Sequence, residues 1–259
     1  MTDSTNSDQA IRYSPYTPDK LEDDAIVEAL CEFRFECQEV TEIVIGRLSD
    51  NAEWSSYSVE RLPSSSIPSA IRENDPDLKF QPTLQLRSED GRYLVKIGGR
   101  VISFHNVSSY CGWDRFQPKL NDLIDFIFGR LSELAITRIG FRYVNALTPE
   151  RHTIASLTEL NISLVVTDKP LDEPINLNYG TVYSDTHRAM TRIASSEFVQ
   201  GKLPEGVIAV VDVDVVTTPD LKFSESDKVK AWVDDAHHYE KDAFFRLIPP
   251  EISKQLEAK

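Results

Sequence analysis

Long apolar runs, paired cysteines and short reaction motifs are all missing from this sequence of 259 residues. No apolar stretch approaches the ~20 residues that a membrane-spanning helix needs, and the polar start of the chain is unlike a signal peptide. The three cysteines lack both the even number typical of a disulfide framework and the spacing of metal ligands. These absences predict a cytoplasmic protein with free thiols and no membrane association.

Three kinds of reaction motif are absent as well: a glycine-rich phosphate loop, zinc-ligand spacing and an ordered Ser-His-Asp set. Without them, no residue can be assigned a catalytic role from its pattern. The sequence therefore predicts no cofactor and favours a protein that is not an enzyme.

The charge of the chain is strongly negative and unevenly distributed, with a formal net charge of −14. Residues 1–60 hold 14 acidic and 4 basic side chains, whereas residues 85–142 hold 9 basic and 6 acidic ones. An acidic chain argues against an extended surface that follows nucleic-acid phosphates. The acidic N-terminal part would suit a basic surface on a partner protein, and plain solubility is the alternative explanation.

The spacing of apolar residues predicts an α+β fold with a mainly antiparallel sheet. Strands are expected at 26–36, 84–87, 93–97, 101–107, 136–145, 160–166, 180–184, 190–199 and 207–216. Two long amphipathic helices, expected at 114–134 and 226–247, should pack on one face of the sheet. Asp114 is the expected N-cap of the first of them. The pairs Asp90-Gly91 and Gly98-Gly99 should supply the positive φ of tight hairpin turns.

Composition divides the chain into three parts. Residues 1–24 are expected to form a disordered acidic tail, because they are polar and end in Glu22-Asp23-Asp24. Residues 25–147 should form a first α+β half with a central meander and a long helix, and residues 148–259 a second half that ends in a helix. The order of strands followed by a helix in both parts raises the hypothesis of an internal repeat, and the oligomeric state stays open.

Several segments carry a family resemblance: 25–35, 86–98, 110–113, 138–145, 211–215 and 244–247. They resemble a sporadically distributed bacterial and archaeal family of proteins of about this length that has no established activity. The resemblance therefore supplies no catalytic residue. The patchy distribution of that family is similar to that of toxin–antitoxin and phage-defence genes, which implies such a context for the function.

A basic strand face is the first candidate site. Arg138 and Arg142 share one face of their strand and would join Arg87 and Lys96 in a surface that binds anions. The alternative is that these side chains pair with acids on neighbouring strands. Such acids are Glu32 and Glu36. Together with Glu28, they are also candidates for contacting a partner protein.

Three further groups have weaker patterns. Asp212 and Asp214 are two apart on a strand, which would suit a divalent cation or, alternatively, a solvated face. Cys111 stands before the first long helix, where a thiol can be activated, and His105 would be its base; an inert packing turn is the alternative. His237 and His238 point about 100° apart on the last helix, so they are expected to be ordinary solvated or boundary residues.

The leading functional hypothesis is a non-enzymatic protein-interaction module. It would be an antitoxin-like, scaffolding or sensing component of a bacterial defence or toxin–antitoxin system, with a partner encoded by a neighbouring gene. One alternative is a small-ligand or nucleotide sensor that uses the Arg-bearing sheet face. A second alternative is a metal-dependent hydrolase at Asp212 and Asp214.

Overall fold

Alternation of apolar and polar side chains creates the central strand of the fold. The computed structural model describes residues 13–166, 169–170, 174–201 and 203–258. It places strand β1 at Ile26–Glu36, where Ala29, Cys31 and Phe33 are fully buried and the intervening Glu32 is partly exposed. One face of the sheet therefore needs a cover, and the other meets solvent.

Eight further strands complete the sheet: β2 (Ser58–Arg61), β3 (Leu84–Arg87), β4 (Tyr93–Ile97), β5 (Val101–Val107), β6 (Ala135–Leu147), β9 (Asn176–Val182), β10 (His187–Ser195) and β11 (Ala209–Thr217). Their order is β2-β3-β4-β5-β1-β6-β11-β10-β9, and the registered pairs are antiparallel. Two short strands, β7 (Val165–Val166) and β8 (Lys169–Pro170), pair separately. The predicted α+β class with an antiparallel sheet is confirmed.

Six α-helices occur in the described residues: α1 (Thr41–Ser49), α2 (Ser69–Asn74), α3 (Trp113–Arg130), α4 (Pro149–His152), α5 (Ser226–Phe245) and α6 (Pro250–Leu256). The stripe of α3 that includes Phe116 and Ile124 is fully buried. Phe116 stacks on Phe104 of β5, with 5.5 Å between ring centroids, which places α3 on the apolar face of the sheet. No helix within the described ranges is long and apolar enough to cross a bilayer.

One predicted strand is largely absent from the structure. The expected strand at 160–166 is present only as Val165–Val166, and a 3₁₀ turn occupies Leu157–Glu159. Leu160 is still buried, because the backbone N–H of Asn161 donates to the carbonyl of Leu247 at 2.8 Å and holds this segment against the end of α5. The alternating pattern thus reflects packing of an irregular segment, not a sheet ladder.

The two glycine pairs play different roles in the meander. Gly91 has a φ of +69°, as the tight turn after β3 requires. Gly98 and Gly99 do not have a positive φ, so the expectation for that turn is wrong. A Cβ on Gly98 would lie 2.7 Å from the backbone oxygen of Gln81, so glycine is needed there for close approach of another segment.

The described part of the expected N-terminal tail, residues 13–24, packs on the end of the chain. The backbone N–H of Glu22 donates to Leu256 and that of Ala258 donates to Lys20, each at 2.9 Å. Leu21 is 7% exposed, so this segment contributes an apolar side chain to the core. Residues 1–12 lie outside the described part of the chain.

Burial of the α3 stripe predicts a large loss of stability for Ile124→Ala. Ile124 is fully buried, so its truncation leaves a cavity and is expected to cost about 2–5 kcal/mol of unfolding free energy. Ile71→Ala removes the same atoms from a side chain that is 55% exposed and should change stability by less than about 1 kcal/mol. Urea denaturation of both variants measures the difference, and equal losses would contradict the placement of α3.

Candidate functional site

The four basic candidates lie on the solvent face of the sheet but do not converge. Arg87 and Arg142 occupy one cross-strand row that runs from β3 through β4, β5 and β1 to β6. Four strand spacings separate them, which is roughly 19 Å. Lys96 on β4 and Arg138 on β6 also lie three strand spacings apart. A single small anion therefore cannot contact all four side chains.

Arg138 and Arg142 are paired with acids of neighbouring strands. Arg142 makes two hydrogen bonds to the carboxylate of Asp212, at 2.7 and 2.6 Å. Arg138 donates to Glu32 at 3.1 Å and approaches Asp214 at 3.7 Å. The two aspartates are thus held by guanidinium groups, and the described residues contain no cluster of three or more metal-ligating side chains.

The glutamates predicted to contact a partner also have partners within the chain. Glu28 lies 2.8 Å from Nδ1 of His105, and Glu36 accepts from Lys222 at 2.8 Å. His105 is on the solvent face of β5, where its Nε2 is 2.8 Å from the hydroxyl of Ser103. His105 is therefore not the base of Cys111, whose thiol approaches the carbonyl of Gly112 at 3.5 Å.

A cavity of about 190 Å³ lies on the other side of the sheet, where α3 begins beside α5. Four separate parts of the chain enclose it: residues 18–26, residues 110–115, β6 and the second half of α5. Its volume corresponds to roughly six water molecules, so it suits a small organic molecule. No cavity was predicted at this place, although Cys111 and His237, two residues considered from the sequence, both line it.

Aromatic rings form the inner wall of this cavity. The ring of Trp113 stacks on His237 with 3.9 Å between centroids and 10° between planes. The hydroxyl groups of Tyr110 and Tyr143 are 2.5 Å apart, and that of Tyr143 is 3.4 Å from Nδ1 of His237. His237 is only 9% exposed, so the expectation that it is an ordinary solvated or boundary residue is wrong.

Burial controls the ionisation of this wall. It lowers the pKa of His237 to about 3, with smaller contributions in the same direction from Lys241 and His238. Burial also raises the pKa of Tyr143 well above its ordinary value. The imidazole and the phenol are therefore neutral around pH 7, and they line the cavity without adding charge.

Glu240 is the most unusual residue of the site. It lines the cavity, is 2% exposed, and its Oε1 atom is buried without a hydrogen-bond partner among the described residues. Burial raises the pKa of Glu240 well above its ordinary value, while Lys241 and Asn145 act in the opposite direction. A buried polar atom without a partner costs free energy, so the fold keeps this carboxyl group against its own stability.

The N-terminus of α3 also opens into the cavity. Gly112 occupies the N-cap position with a φ of +86°, so the expected cap at Asp114 is wrong. Glycine offers no side chain to accept from the first turn, and no described residue accepts a hydrogen bond from the N–H of Trp113 or Asp114. Free N–H groups at a helix N-terminus attract anions.

The segment before β1 forms the outer wall. The ammonium group of Lys241 donates to the backbone oxygen of Asp19 at 3.1 Å, and burial lowers the pKa of this lysine. The backbone N–H of Ser14 donates to the carboxylate of Asp242 at 2.5 Å. Asp24 also lines the cavity, and burial raises its pKa. The wall is thus attached to α5 by polar contacts that solvent can replace.

Comparisons with known proteins add little to this geometry. No protein-family model matches the chain, and no curated protein matches it. Two solved structures of the duplicated taurocyamine kinase from Schistosoma mansoni, one substrate-free and one with bound transition state analog components, are similar at 12% and 11% identity. Each alignment covers 90% of this chain and 36% of the kinase, with a TM-score of 0.42. A score this low transfers no property of the kinase to this chain.

Glu240→Gln is expected to stabilise the protein without ligand at neutral and alkaline pH. The pKa of Glu240 is higher in the folded than in the unfolded chain, so folding favours the protonated form. Relative to this variant, the wild type is therefore most stable below about pH 4.5. As the pH rises from there toward the folded-state pKa, its unfolding free energy falls by about 1.4 kcal/mol per pH unit. The amide side chain of the variant does not ionise and avoids this loss.

Urea denaturation between about pH 4 and pH 8 measures this effect. Glu89→Gln is the matched control, because it makes the same chemical change at an exposed position in the turn after β3. If the difference in unfolding free energy between Glu240→Gln and the wild type is the same at every pH, the carboxyl group of Glu240 is not buried as described.

Proposed function

We propose that this protein binds a small molecule in the cavity between α3 and α5 and acts as a ligand sensor. The observation that carries the proposal is the 2% exposed carboxyl group of Glu240 in the cavity wall, with its unpartnered Oε1 atom. Unsatisfied buried polar groups are rare in folded proteins and need an explanation. A ligand that completes the hydrogen bonding of Glu240 supplies one.

The shape and lining of the cavity support the same function. Binding sites for small molecules are concave and mostly apolar, with a few polar groups that orient the ligand. Tyr110, Trp113 and Tyr143 provide the apolar surface here, and Glu240 and the free N–H groups of α3 provide the polar points. This cavity replaces the Arg-bearing sheet face as the site of the proposed sensor, because Arg138 and Arg142 are neutralised by acids.

The sensing role follows from what the ligand would hold together. Residues 18–26 and α5 are far apart in sequence, and both line the cavity. We call residues 18–26 docked when they pack against α5. A ligand that contacts both binds the docked state more tightly than the undocked state, and this difference in affinity sets how far it shifts the equilibrium toward docking. Ligand binding is thus coupled to the position of the N-terminal segment.

The strand order supports the hypothesis of two similar halves. From the centre of the sheet outward, the order is β1, β5, β4, β3 on one side and β6, β11, β10, β9 on the other. Each side consists of one strand, a later three-strand meander and then a long helix, α3 or α5. In this proposal β6 begins the second half, instead of ending the first at residue 147, and the cavity lies where the two halves meet.

The protein-interaction hypothesis stays a prediction. Glu28, Glu32 and Glu36 are partly used in contacts within the chain, and residues 1–12 lie outside the described ranges. A role in bacterial defence or a toxin–antitoxin system, with a partner from a neighbouring gene, rests on the family resemblance. Such a partner is compatible with a sensor, since the docked and undocked states of the N-terminal segment present different surfaces.

Filling the cavity is expected to abolish ligand-induced stabilisation. Ala25 lines the cavity and is 2% exposed, so Ala25→Leu places additional atoms at the wall. Thermal unfolding of the wild type with a panel of amino acids, amines, organic acids and nucleotides should identify compounds that raise the Tm, because a ligand stabilises the state that binds it. The same compounds should leave the Tm of Ala25→Leu unchanged.

Ala70→Leu is the control, because it makes the same change on α2, which has no buried residue, and should respond to the ligand as the wild type does. Circular dichroism establishes that each variant is folded. A panel without a single stabilising compound, combined with no small molecule in native mass spectra of the purified protein, would overturn the proposed function.

A further inference from the structure

The polar groups of the cavity are of two kinds, and each selects a different charge on the ligand. A buried carboxyl group with an unpartnered oxygen, in a cavity lined by aromatic rings, suits an ammonium group, because a carboxylate and the faces of aromatic rings both attract cations. Free N–H groups at a helix N-terminus suit a carboxylate or another anion. The cavity presents both, at Glu240 and at the first turn of α3.

The two groups are close enough for one small molecule. His237 and Glu240 are three residues apart on α5, which places their Cβ atoms about 5–6 Å from each other. Trp113, the first residue of α3, stacks directly on His237 at 3.9 Å. The first turn of α3 and Glu240 therefore line one cavity of about 190 Å³, so the two charges of the ligand must lie near each other.

Resting on the proposed function, we propose that the ligand is a small zwitterion of the α-amino acid type. Its ammonium group binds the Glu240 carboxylate between the rings of Tyr110, Tyr143 and Trp113. Its carboxylate accepts from the N–H groups of Trp113 and Asp114, and Arg115 of the same helical turn also lines the cavity. The volume of about 190 Å³ leaves room for one side chain of modest size.

The surroundings of Glu240 contain both signs of charge. The titratable groups that share its cavity are His237 and Lys241 on α5, Tyr143 on β6, Tyr110 and Cys111 before α3, Asp114 and Arg115 in the first turn of α3, and Asp19, Lys20 and Asp24 on the N-terminal segment. Asp212, on the other face of β11, also raises the pKa of Glu240 through its charge. Lys20, Arg115 and Lys241 are the cations among them, and the ammonium group of Lys241 already donates to the oxygen of Asp19. An incoming ammonium group therefore finds Oε1 of Glu240 unoccupied.

Binding must release a proton from Glu240. In the empty cavity this carboxyl is protonated over a wider pH range than usual, because it is buried. The ammonium group binds the carboxylate, so the carboxyl proton leaves to the buffer while the ligand keeps its own protons. The affinity should accordingly rise by up to tenfold per pH unit until the pKa of Glu240 in the empty protein is reached.

The test is isothermal titration of the full chain with the standard L-amino acids and with matched analogues of the tightest one. For leucine, the analogues are 3-methylbutylamine, which lacks the carboxylate, and 4-methylpentanoate, which lacks the ammonium group. Each should bind at least about tenfold more weakly than the amino acid, since one charged contact is worth about one factor of ten or more. Proton release is measured by repeating the titration in buffers of different ionisation enthalpy.

Glu240→Gln separates the role of the charge from that of the cavity. It should bind the amino acid at least about tenfold more weakly, with no proton release and no rise of affinity with pH. Glu89→Gln should bind as the wild type does. Because Glu240→Gln is expected to be at least as stable as the wild type near pH 7, loss of binding cannot be attributed to unfolding.

Two results would overturn this assignment of the ligand. If 4-methylpentanoate or another acid without an amine binds as tightly as its amino acid, Glu240 is not an ammonium site. If no amino acid binds while a compound of another class raises the Tm of the wild type and not that of Ala25→Leu, the cavity is a ligand site for a different chemistry. In both cases the cavity still binds a ligand, and only the assignment of a zwitterion is wrong. If no compound of the whole panel binds, the proposed function and the assignment of the ligand are both wrong.

Discussion

The contact between α3 and α5 on one face of the sheet is the constraint on which the rest of the site depends. Each of the two helices buries an apolar stripe, and Phe116 of α3 stacks on Phe104 of the sheet. Trp113 and His237 close the gap between them by stacking at 3.9 Å, and Lys230 pairs with Asp125 at 2.6 Å further along. The free end of α3 is thereby fixed beside the second half of α5, and the space left between them is the cavity.

The same contact explains why a costly carboxyl group persists inside the protein. Position 240 belongs to the buried stripe of α5, seven residues after Val233 and four before Phe244, where a leucine would pack as its neighbours do. A buried acid with an unsatisfied oxygen weakens the fold, and its removal is a common route to higher stability. Retaining it makes sense where the acid completes its interactions only when a second molecule is present.

Local signals made much of the sheet predictable, whereas the cavity depends on long-range contacts. The strands Leu84–Arg87, Tyr93–Ile97 and Val101–Val107 have the predicted bounds, because alternation and hairpin turns act between neighbours in sequence. The wrong strand at 160–166 arose because packing against the end of α5 produces the same alternation. The walls of the cavity meet only after the sheet has folded, so no spacing in the sequence relates Tyr110 to Glu240.

One signal of the site was nevertheless present in the sequence. His237 and Glu240 both interrupt the apolar stripe of α5, and polar residues in such a stripe indicate either a helix boundary or a group that has a partner inside the fold. Trp113 follows a glycine at the start of α3, which indicates a helix without a side-chain cap. Neither observation predicts a site by itself. They indicate one only in the folded protein, where the first turn of α3 lies against His237 and Glu240 of α5.

The N-terminal segment then determines how the cavity is reached. Its contacts with α5 and α6 include hydrogen bonds donated by Ser14 and Glu22, one that Asp19 accepts from Lys241, the Tyr16 ring under the ammonium group of Lys254, and the buried side chain of Leu21. Hydrogen bonds of this kind contribute only about 1 kcal/mol each, since water replaces them when the segment leaves. A ligand that neutralises Glu240 adds a charged interaction inside the wall that the segment covers. Under the proposed function, occupancy of the cavity and docking of the segment would favour each other, which is the coupling that a sensor requires.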